Sequence, residues 1–417
     1  MRSPWLFGLL AVLPLPVLLF SARFPMWAPV LAAIWLAALL VLRSAVTGRW
    51  LSHTPADLIL LLLVLFLPLG LWASADKSET LSRTFALIAD IALFYALAVQ
   101  AENDYLRWAG WLILLGGLAF VIAIVPGTHF YRGQKLPFIL RSIYDILPSG
   151  LRLPGDENGF NPNMAGGLLA LFLPPALALS IRSQNWRQRI LAIVTLLLLI
   201  AVVILTQSRG AILASLIAIA VVTGILIRPM GWLWWMVGLL SLGVLATQGG
   251  AVAEFLNEAE TTTGIHSLAQ RVELWSRAIY VGLDFSFTGI GLGSFPHVMS
   301  QLYPPFQVII TADVPHAHNV YLQVLAEMGY PGLILYLAFF FILLFVLIRQ
   351  IRHGREEMRL VAVGLLGSLI VFLVHGIVDV PSYSPLSAIV IWGLFGLMMA
   401  VGMAGDRSSF SMEPSHD

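Results

Sequence analysis

The chain has 417 residues, of which 59% are hydrophobic and only 11% are charged, whereas soluble domains carry about a quarter charged residues. This composition excludes a soluble globular protein, and the lack of cysteine excludes disulfides, thiolate metal sites and a cysteine nucleophile. A net charge of +1 argues against a nucleic-acid partner, although 21 of the 23 basic residues are arginine, the side chain best suited to hold phosphate.

Twelve apolar runs are long enough to cross a bilayer as helices, which takes about 20 residues. They lie near 5–21, 26–42, 57–74, 84–100, 108–125, 163–181, 190–206, 211–227, 231–247, 329–348, 360–378 and 386–404. The runs lack the alternation of barrel strands, and backbone groups in lipid must be satisfied internally. The sequence therefore predicts an all-α polytopic membrane protein with about 12 transmembrane helices, the first of them retained because a poor cleavage site follows it.

Basic residues are unevenly divided between the two sets of short loops, with eleven in one set and four in the other. Because basic loops stay in the cytoplasm, both termini are predicted to be cytoplasmic, including a tail at 405–417. Two long loops, 126–162 and 248–318, then lie on the outer face, which is periplasmic in a double-membraned bacterium. We expect one membrane domain, 1–417, with these two outer elaborations.

The first outer loop is basic, which is consistent with anionic headgroups or an anionic substrate. Its basic residues are Arg132, Lys135, Arg141 and Arg152. The loop ends in Asn161-Pro162-Asn163, which reads first as a helix start. Further along the chain, Arg209 separates two apolar spans at the predicted outer surface. There it either snorkels to lipid headgroups, the commoner arrangement, or faces a cavity that holds an anion.

The second outer loop contains a helical pattern over 270–279. Its predicted apolar face comprises Leu274, Trp275, Ala278, Ile279 and Gly282, and its polar face comprises Gln270, Glu273, Ser276, Arg277 and Tyr280. Arg271 falls near the centre of the apolar face, where a cation is costly unless an anion binds it. Arg277 is predicted to be a solvated charge.

The most informative segment runs from Asp313 to Gly332. Asp313 suits a helix N-cap and Pro315 suits a first turn, so a helix is predicted to start at about His316. On that helix His318 would share a packed face with Tyr321 and Leu325. A neutral imidazole is a competent general base, but two alternatives stay open, namely capping or packing histidines and a zinc pair that lacks an obvious third ligand.

Other polar positions carry plainer interpretations. The glycine-rich segment Gly289–Gly293 is predicted to be a turn, because no βαβ unit surrounds it to make a nucleotide loop. Asp90, His375 and Asp379 lie in or near spans, where hydrogen bonding between helices is the usual role of polar groups.

These motifs, taken together, resemble those of the O-antigen ligases and the related O-antigen polymerases of bacterial surface polysaccharide synthesis. His318-Asn319, nine residues and Gly329-Tyr-Pro-Gly332 are similar to the ligase motif H-[NSQ]-x9-GxxG. Arg209, followed after three residues by Leu213, is similar to the family's R-x3-L motif. Three further segments are similar to recurring family features, namely the predicted helix start at 161–163, the segment 271–275 and the turn at 289–295.

The resemblance implies a GT-C-like membrane glycosyltransferase of the bacterial inner membrane. It would transfer a glycan from undecaprenyl diphosphate to a hydroxyl of the lipid A-core oligosaccharide, with membrane lipids around it and with no cofactor and no metal. By the same resemblance His318 is the catalytic base, and Arg209 and Arg271 bind the diphosphate. His316, Asn319, Arg152 and Asn163 are further candidates for substrate binding.

Two other functions stay open at this point. A surface polysaccharide polymerase would use the same donor with a lipid-linked repeat as acceptor, and the histidine motif favours the ligase over it. A lipid-linked sugar transporter is the other alternative. Transporters tend to carry charges near the midplane and to have related halves, whereas here the long loop follows the ninth span.

Overall fold

The computed structural model describes residues 9–25, 27–47, 54–99, 106, 108–128, 130, 160–227, 229–241, 243, 247, 267–304 and 315–404. Its named helices are α1 (Leu15–Leu19), α2 (Trp27–Thr47), α3 (Asp57–Ala73), α4 (Lys77–Ala98), α5 (Ala109–Gly127), α6 (Pro162–Ala170), α7 (Leu173–Arg182), α8 (Trp186–Leu205), α9 (Arg209–Leu226), α10 (Ser267–Asp284), α11 (Phe295–Gln301), α12 (Val320–His353), α13 (Glu356–His375) and α14 (Pro385–Met403). No strand occurs in these ranges, so the predicted all-α class is confirmed.

Eight helices within the described ranges are long and apolar enough to cross a membrane, and three shorter apolar helices accompany them near the start of the chain. The predicted total of twelve spans stays a prediction. The predicted span 163–181 is built from two consecutive helices, α6 and α7, because the chain turns at Leu171 and Phe172. Pro174 and Pro175 follow in the first turn of α7, where proline needs no backbone partner.

An aromatic cluster holds α4, α12, α13 and α14 together. Neighbouring rings in it have centroids 5.2 to 5.8 Å apart, within the range of favourable aromatic pairs. Its members are Phe94, Phe339, Phe340, Phe372, Trp392 and Phe395. On its other side α13 approaches α7 very closely, because a Cβ at Gly364 or Gly367 would lie within 2.5 Å of Pro175 or Pro174. Small residues allow such contacts between membrane helices.

The glycine-rich turn clamps α10 onto α12, and it is a turn as predicted. Gly289, Gly291 and Gly293 all have positive φ. The backbone N–H of Ile290 donates to Ala326 O over 3.0 Å, and that of Tyr330 donates to Ser286 O over 2.8 Å. These bonds fasten the turn to both sides of a kink in α12.

The kink lies at Gly329, whose φ of 64° and ψ of −171° belong to a region that is essentially restricted to glycine. A Cβ there would also lie 2.6 Å from Ser286 O. The glycine of the histidine motif is therefore required by backbone geometry, and the clamp depends on it.

We expect Gly329→Ala to lower the free energy of unfolding by about 1–3 kcal/mol or more, because alanine cannot adopt this conformation without strain. Gly70→Ala is the matched control. Gly70 lies inside α3, and apart from its chain neighbours and the backbone of its own helix no described atom lies within 4 Å of the position that an added methyl group would take, so alanine should be neutral or stabilising there. Thermal unfolding of both variants in detergent tests this, and equal melting temperatures would contradict it.

Candidate functional site

The two histidines lie just before α12, not within it. Asn319 is the N-cap of that helix, and its side-chain oxygen accepts hydrogen bonds from the backbone N–H groups of Tyr321 and Leu322, each over 3.0 Å. The prediction of a helix start at about His316 is therefore wrong, and so is the predicted shared face of His318, Tyr321 and Leu325. The asparagine side chain satisfies the free backbone donors and so fixes the start further along the chain. Asp313 lies outside the described residues.

His318 has a left-handed backbone conformation, with φ of 49°. This is uncommon for a residue with a side chain and costs on the order of 1–3 kcal/mol, so the surrounding structure must hold it. The Trp275 indole N–H donates to His318 O over 3.3 Å. The Ala317 N–H donates to Gln323 Oε1 over 2.7 Å, and Gln323 in turn donates to the buried Glu327 carboxylate.

Three hydrogen bonds attach this histidine segment to the end of α13 and the turn that follows it. The Val320 N–H donates to Gly376 O over 2.8 Å, and the Asn319 side-chain amide donates to Ile377 O over 3.0 Å. The Tyr321 hydroxyl donates to Leu373 O over 2.8 Å. Together they bring the His318 ring against Asp379, a residue 61 positions further along the chain.

His318 Nδ1 lies 3.4 Å from Asp379 Oδ1, within ion-pair distance but longer than a good hydrogen bond. Asp379 is only 6% exposed. Burial acts to raise the pKa of Asp379, but the imidazoles of His318, His375 and His316 outweigh it and hold the pKa below its ordinary value. The carboxylate is therefore ionised. With Nδ1 turned to a carboxylate, the Nε2 atom of His318 is left as the proton acceptor.

His316 packs between His318 and Tyr383, with ring centroids 4.3 and 4.8 Å away. Its Nδ1 accepts a hydrogen bond from the His318 backbone N–H over 3.2 Å. Burial, followed by the charge of His318, lowers the pKa of His316 to about 4, so this imidazole is neutral at pH 7. Ligand atoms of His316, His318 and Asp379 lie within 4.8 Å of one another, a set that could also hold a zinc ion.

Arg271 and Arg209 lie on two different helices that pack near this region. Arg271 lies one turn before Trp275 on α10 and is half-buried. Its charge is among the causes that lower the pKa of His316, after burial and His318. Arg209 is exposed and begins α9 behind its N-cap Ser208. The next residue, Gly210, packs so closely that a Cβ would lie 2.6 Å from Val378 and 3.0 Å from the His375 ring.

The faces of α10 differ from the prediction at three positions. Glu273 is buried and pairs with Arg277 over 3.7 Å, and the Arg277 side chain is only 17% exposed, so Arg277 is not a solvated charge. Ile279, predicted on the apolar face, is exposed. The i, i+4 spacing of Glu273 and Arg277 lets their opposite charges compensate each other below the protein surface. A prediction that considers the polarity of each residue separately misses such a pair.

The remaining predicted residues have simpler surroundings. Asn161 is the N-cap of α6, where its side chain accepts from the Asn163 N–H over 2.8 Å, so the predicted helix start is confirmed. Asn163 lies in the first turn of that helix and is partly buried. Arg152 lies outside the described residues.

A cavity of about 360 Å³ lies beside Tyr383, between α4, α12 and α14. Its polar edge includes Arg83, which donates to Tyr383 O over 2.6 Å and to Glu79 over 2.7 Å and stacks on the Tyr383 ring. Most other lining side chains are apolar or aromatic. Buried atoms of Asp90 and Tyr336, without hydrogen-bond partners among the described residues, also face this cavity.

Sequence reasoning did not assign Asp379, His375, Arg83 or Tyr383 to the site. The spacing of His375 and Asp379, four residues apart at the predicted outer end of a span, is a signal for the first two. Asp379 was predicted only to form hydrogen bonds between helices, whereas in the structure its carboxylate faces the candidate base, His318. Nothing in the local sequence marks Arg83 or Tyr383, which meet across about 300 residues.

Residues 194–337 match the model of a protein family described as O-antigen ligase. The match includes Arg209, Arg271 and His318, and it ends before Asp379. A search of the curated proteins found no match to the chain. The matched family points to a glycosyltransferase-like enzyme with lipid-linked glycan substrates, and the apolar helices indicate a multi-pass membrane protein. The motifs and the matched segment 194–337 are thus both similar to the O-antigen ligase family.

Proposed function

We propose that the protein transfers a glycan from undecaprenyl diphosphate to a hydroxyl of the lipid A-core oligosaccharide, on the periplasmic face of the bacterial inner membrane. The observation that carries this proposal is the His318–Asp379 pair, with Nδ1 and Oδ1 3.4 Å apart, beside two arginine-bearing helices. A carboxylate that orients an imidazole supplies a general base. Arginines supply the forked donors that suit a diphosphate.

In the proposed reaction, His318 Nε2 takes the proton from the acceptor hydroxyl as its oxygen forms a bond to the anomeric carbon. The bond between that carbon and the diphosphate oxygen breaks, and undecaprenyl diphosphate leaves with the electron pair. Attack opposite the leaving group inverts the anomeric centre. Arg209 and Arg271 stabilise the charge that develops on the diphosphate, which is the main electrostatic requirement of this step.

His316, Asn319, Asn163 and Arg152 have supporting roles in this proposal. The neutral His316 ring lies against His318 and can hydrogen-bond a sugar hydroxyl without adding a charge. Asn319 fixes the backbone that presents His318. We propose contact with the donor for Arg152, which lies in the basic first outer loop, and for Asn163, which lies in the first turn of the helix that follows the loop. The aromatic cavity beside Tyr383 is compatible with a lipid-borne substrate that arrives through the bilayer.

A polymerase that joins lipid-linked repeats is the alternative within the same donor chemistry. The two reactions differ only in the acceptor. The spacing of His318, Asn319, Gly329 and Gly332 resembles the ligase motif, and we therefore favour the ligase.

We expect His318→Ala to lower kcat by about 10²–10⁴-fold, the usual contribution of a general base. Asp379→Asn should lower it by about 10²-fold or more, because the amide keeps the shape of the side chain but loses the charge that stabilises the imidazolium. Glycan transfer by the purified protein in detergent is the measurement.

His297→Ala and Asp284→Asn are the matched controls, since both residues are exposed and neither is among the described contacts of His318; both should keep wild-type rates. Wild-type activity in His318→Ala would remove the base assignment. The wild-type protein is also assayed with and without a chelator. A loss of activity with the chelator that added zinc reverses would replace the metal-free mechanism by a metal site at His316, His318 and Asp379.

Arg209→Lys and Arg271→Lys should each raise the KM for the lipid diphosphate donor about 10-fold or more, because lysine keeps the charge but loses the forked hydrogen bonds. Arg277→Lys on the same α10 helix is the control and should change KM less than about two-fold, since Arg277 pairs with Glu273. Equal effects of Arg271→Lys and Arg277→Lys would show that Arg271 has no special part in donor binding.

Product analysis separates ligase from polymerase. We expect purified protein incubated with lipid-linked repeats to modify added lipid A-core and to produce no lengthening ladder without it. A ladder of longer lipid-linked glycans in the absence of the core would identify the polymerase instead. Absence of any transfer under conditions where a known ligase works would contradict both.

A further inference from the structure

We infer that His375 is a positioning residue of the reaction, which holds the Asp379 carboxylate from the side opposite His318. This inference rests on the function proposed above. His375 is the last residue of α13 and is 2% exposed. Its Nε2 lies 3.8 Å from Asp379 Oδ2, while His318 Nδ1 lies 3.4 Å from Oδ1. The carboxylate therefore lies between two imidazoles, one facing each oxygen.

The ring of His375 occupies a slot formed by two glycines on other helices. A Cβ at Gly167 of α6 would lie 2.4 Å from its Cδ2 and Nε2, and a Cβ at Gly210 of α9 would lie 3.0 Å from its Nδ1. Real Cβ atoms do not approach to 2.4 Å, so the ring fits only because Gly167 has no side chain. Three helices, α6, α9 and α13, thus meet at this imidazole.

A histidine is a costly choice for such a buried position. By strict hydrogen-bond geometry neither ring nitrogen has a partner within the described residues, although backbone groups of Gly210 and Asn163 lie close to the ring. Burial of a poorly paired polar group destabilises a fold. A leucine would fill much of the space without that cost. The benefit of the imidazole is an N–H beside Asp379 Oδ2, at 3.8 Å in this structure, which closes to a hydrogen bond if the turn moves by about an ångström.

The same ring connects the base with the predicted diphosphate site. Gly210, which touches the ring, follows directly after Arg209, the first residue of α9. A shift of His375 would therefore move both the Asp379 carboxylate and the start of the helix that carries Arg209. Because a misplacement of about 1 Å can cost on the order of 10²-fold in rate, the position of this ring is expected to matter for kcat.

Two replacements of His375 separate positioning from packing. Gln places its amide N–H near the position of Nε2, whereas Leu keeps the volume and offers no donor. We expect His375→Leu to lower kcat about 10- to 100-fold, with a melting temperature equal to or above that of the wild type and with the acceptor KM changed less than about two-fold. His375→Gln should recover most of kcat. A purely structural residue would give neither the split between kcat and KM nor the rescue.

A second pair of variants covers the case in which His375→Leu does not fold. Gly167→Ala should displace the ring and lower kcat about 10-fold, whereas Gly116→Ala in α5, where a Cβ makes only an ordinary contact of 3.8 Å with Phe172, should not. Wild-type kcat in His375→Leu or in folded Gly167→Ala would overturn the inference, and so would equal losses in His375→Leu and His375→Gln. His318→Ala is assayed in parallel. If His318→Ala is inactive while His375→Leu is fully active, only this inference fails. If His318→Ala is active, the base assignment fails, and if the wild-type protein transfers no glycan, the proposed function fails.

Discussion

The geometry of the site depends on the side chain of Asn319. Its oxygen caps α12, and its amide donates to Ile377 O in the turn after α13. One side chain therefore sets where the helix begins and how the histidine segment meets the turn that carries Asp379. The left-handed conformation of His318 is tolerable because the backbone is held on both sides, by the Asn319, Val320 and Tyr321 bonds after it and by the bond from Ala317 to Gln323 before it.

Close helix packing beneath the site makes that attachment rigid. Gly364 and Gly367 let α13 lie directly on the prolines of α7, and the aromatic cluster fixes the other side of the same helix. The end of α13 is thus held from two directions before the turn begins. Positions near a chemical centre need such support, because loosely held groups lose rate through misplacement. The contacts between the glycine-rich turn and α12 around Gly329 constrain that helix in a comparable way, about ten residues after the histidines.

Local sequence signals were enough to predict the helical class, the helix start at Asn161, the turn at Gly289–Gly293 and the segments that supply candidate residues. They failed to predict where α12 begins, which the capping side chain of Asn319 determines. They also failed to predict the burial of Glu273 and Arg277, whose opposite charges compensate each other. They also could not pair His318 with Asp379. That pair is created by hydrogen bonds between a segment before α12 and a turn after α13, and no pattern within either segment encodes the contact.

In the proposed reaction, the charges around the histidines allow one site to bind an anion and also to accept a proton. Burial, with a smaller contribution from the charge of Arg271, lowers the pKa of His316, while the buried Asp379 carboxylate lies 3.4 Å from the His318 ring. In the proposed reaction, a bound diphosphate adds negative charge beside the arginines. As His318 takes the proton of the acceptor hydroxyl, its positive charge develops between Asp379 and the diphosphate. In this proposal, donor binding and activation of the acceptor hydroxyl are therefore linked through the charges around the histidines.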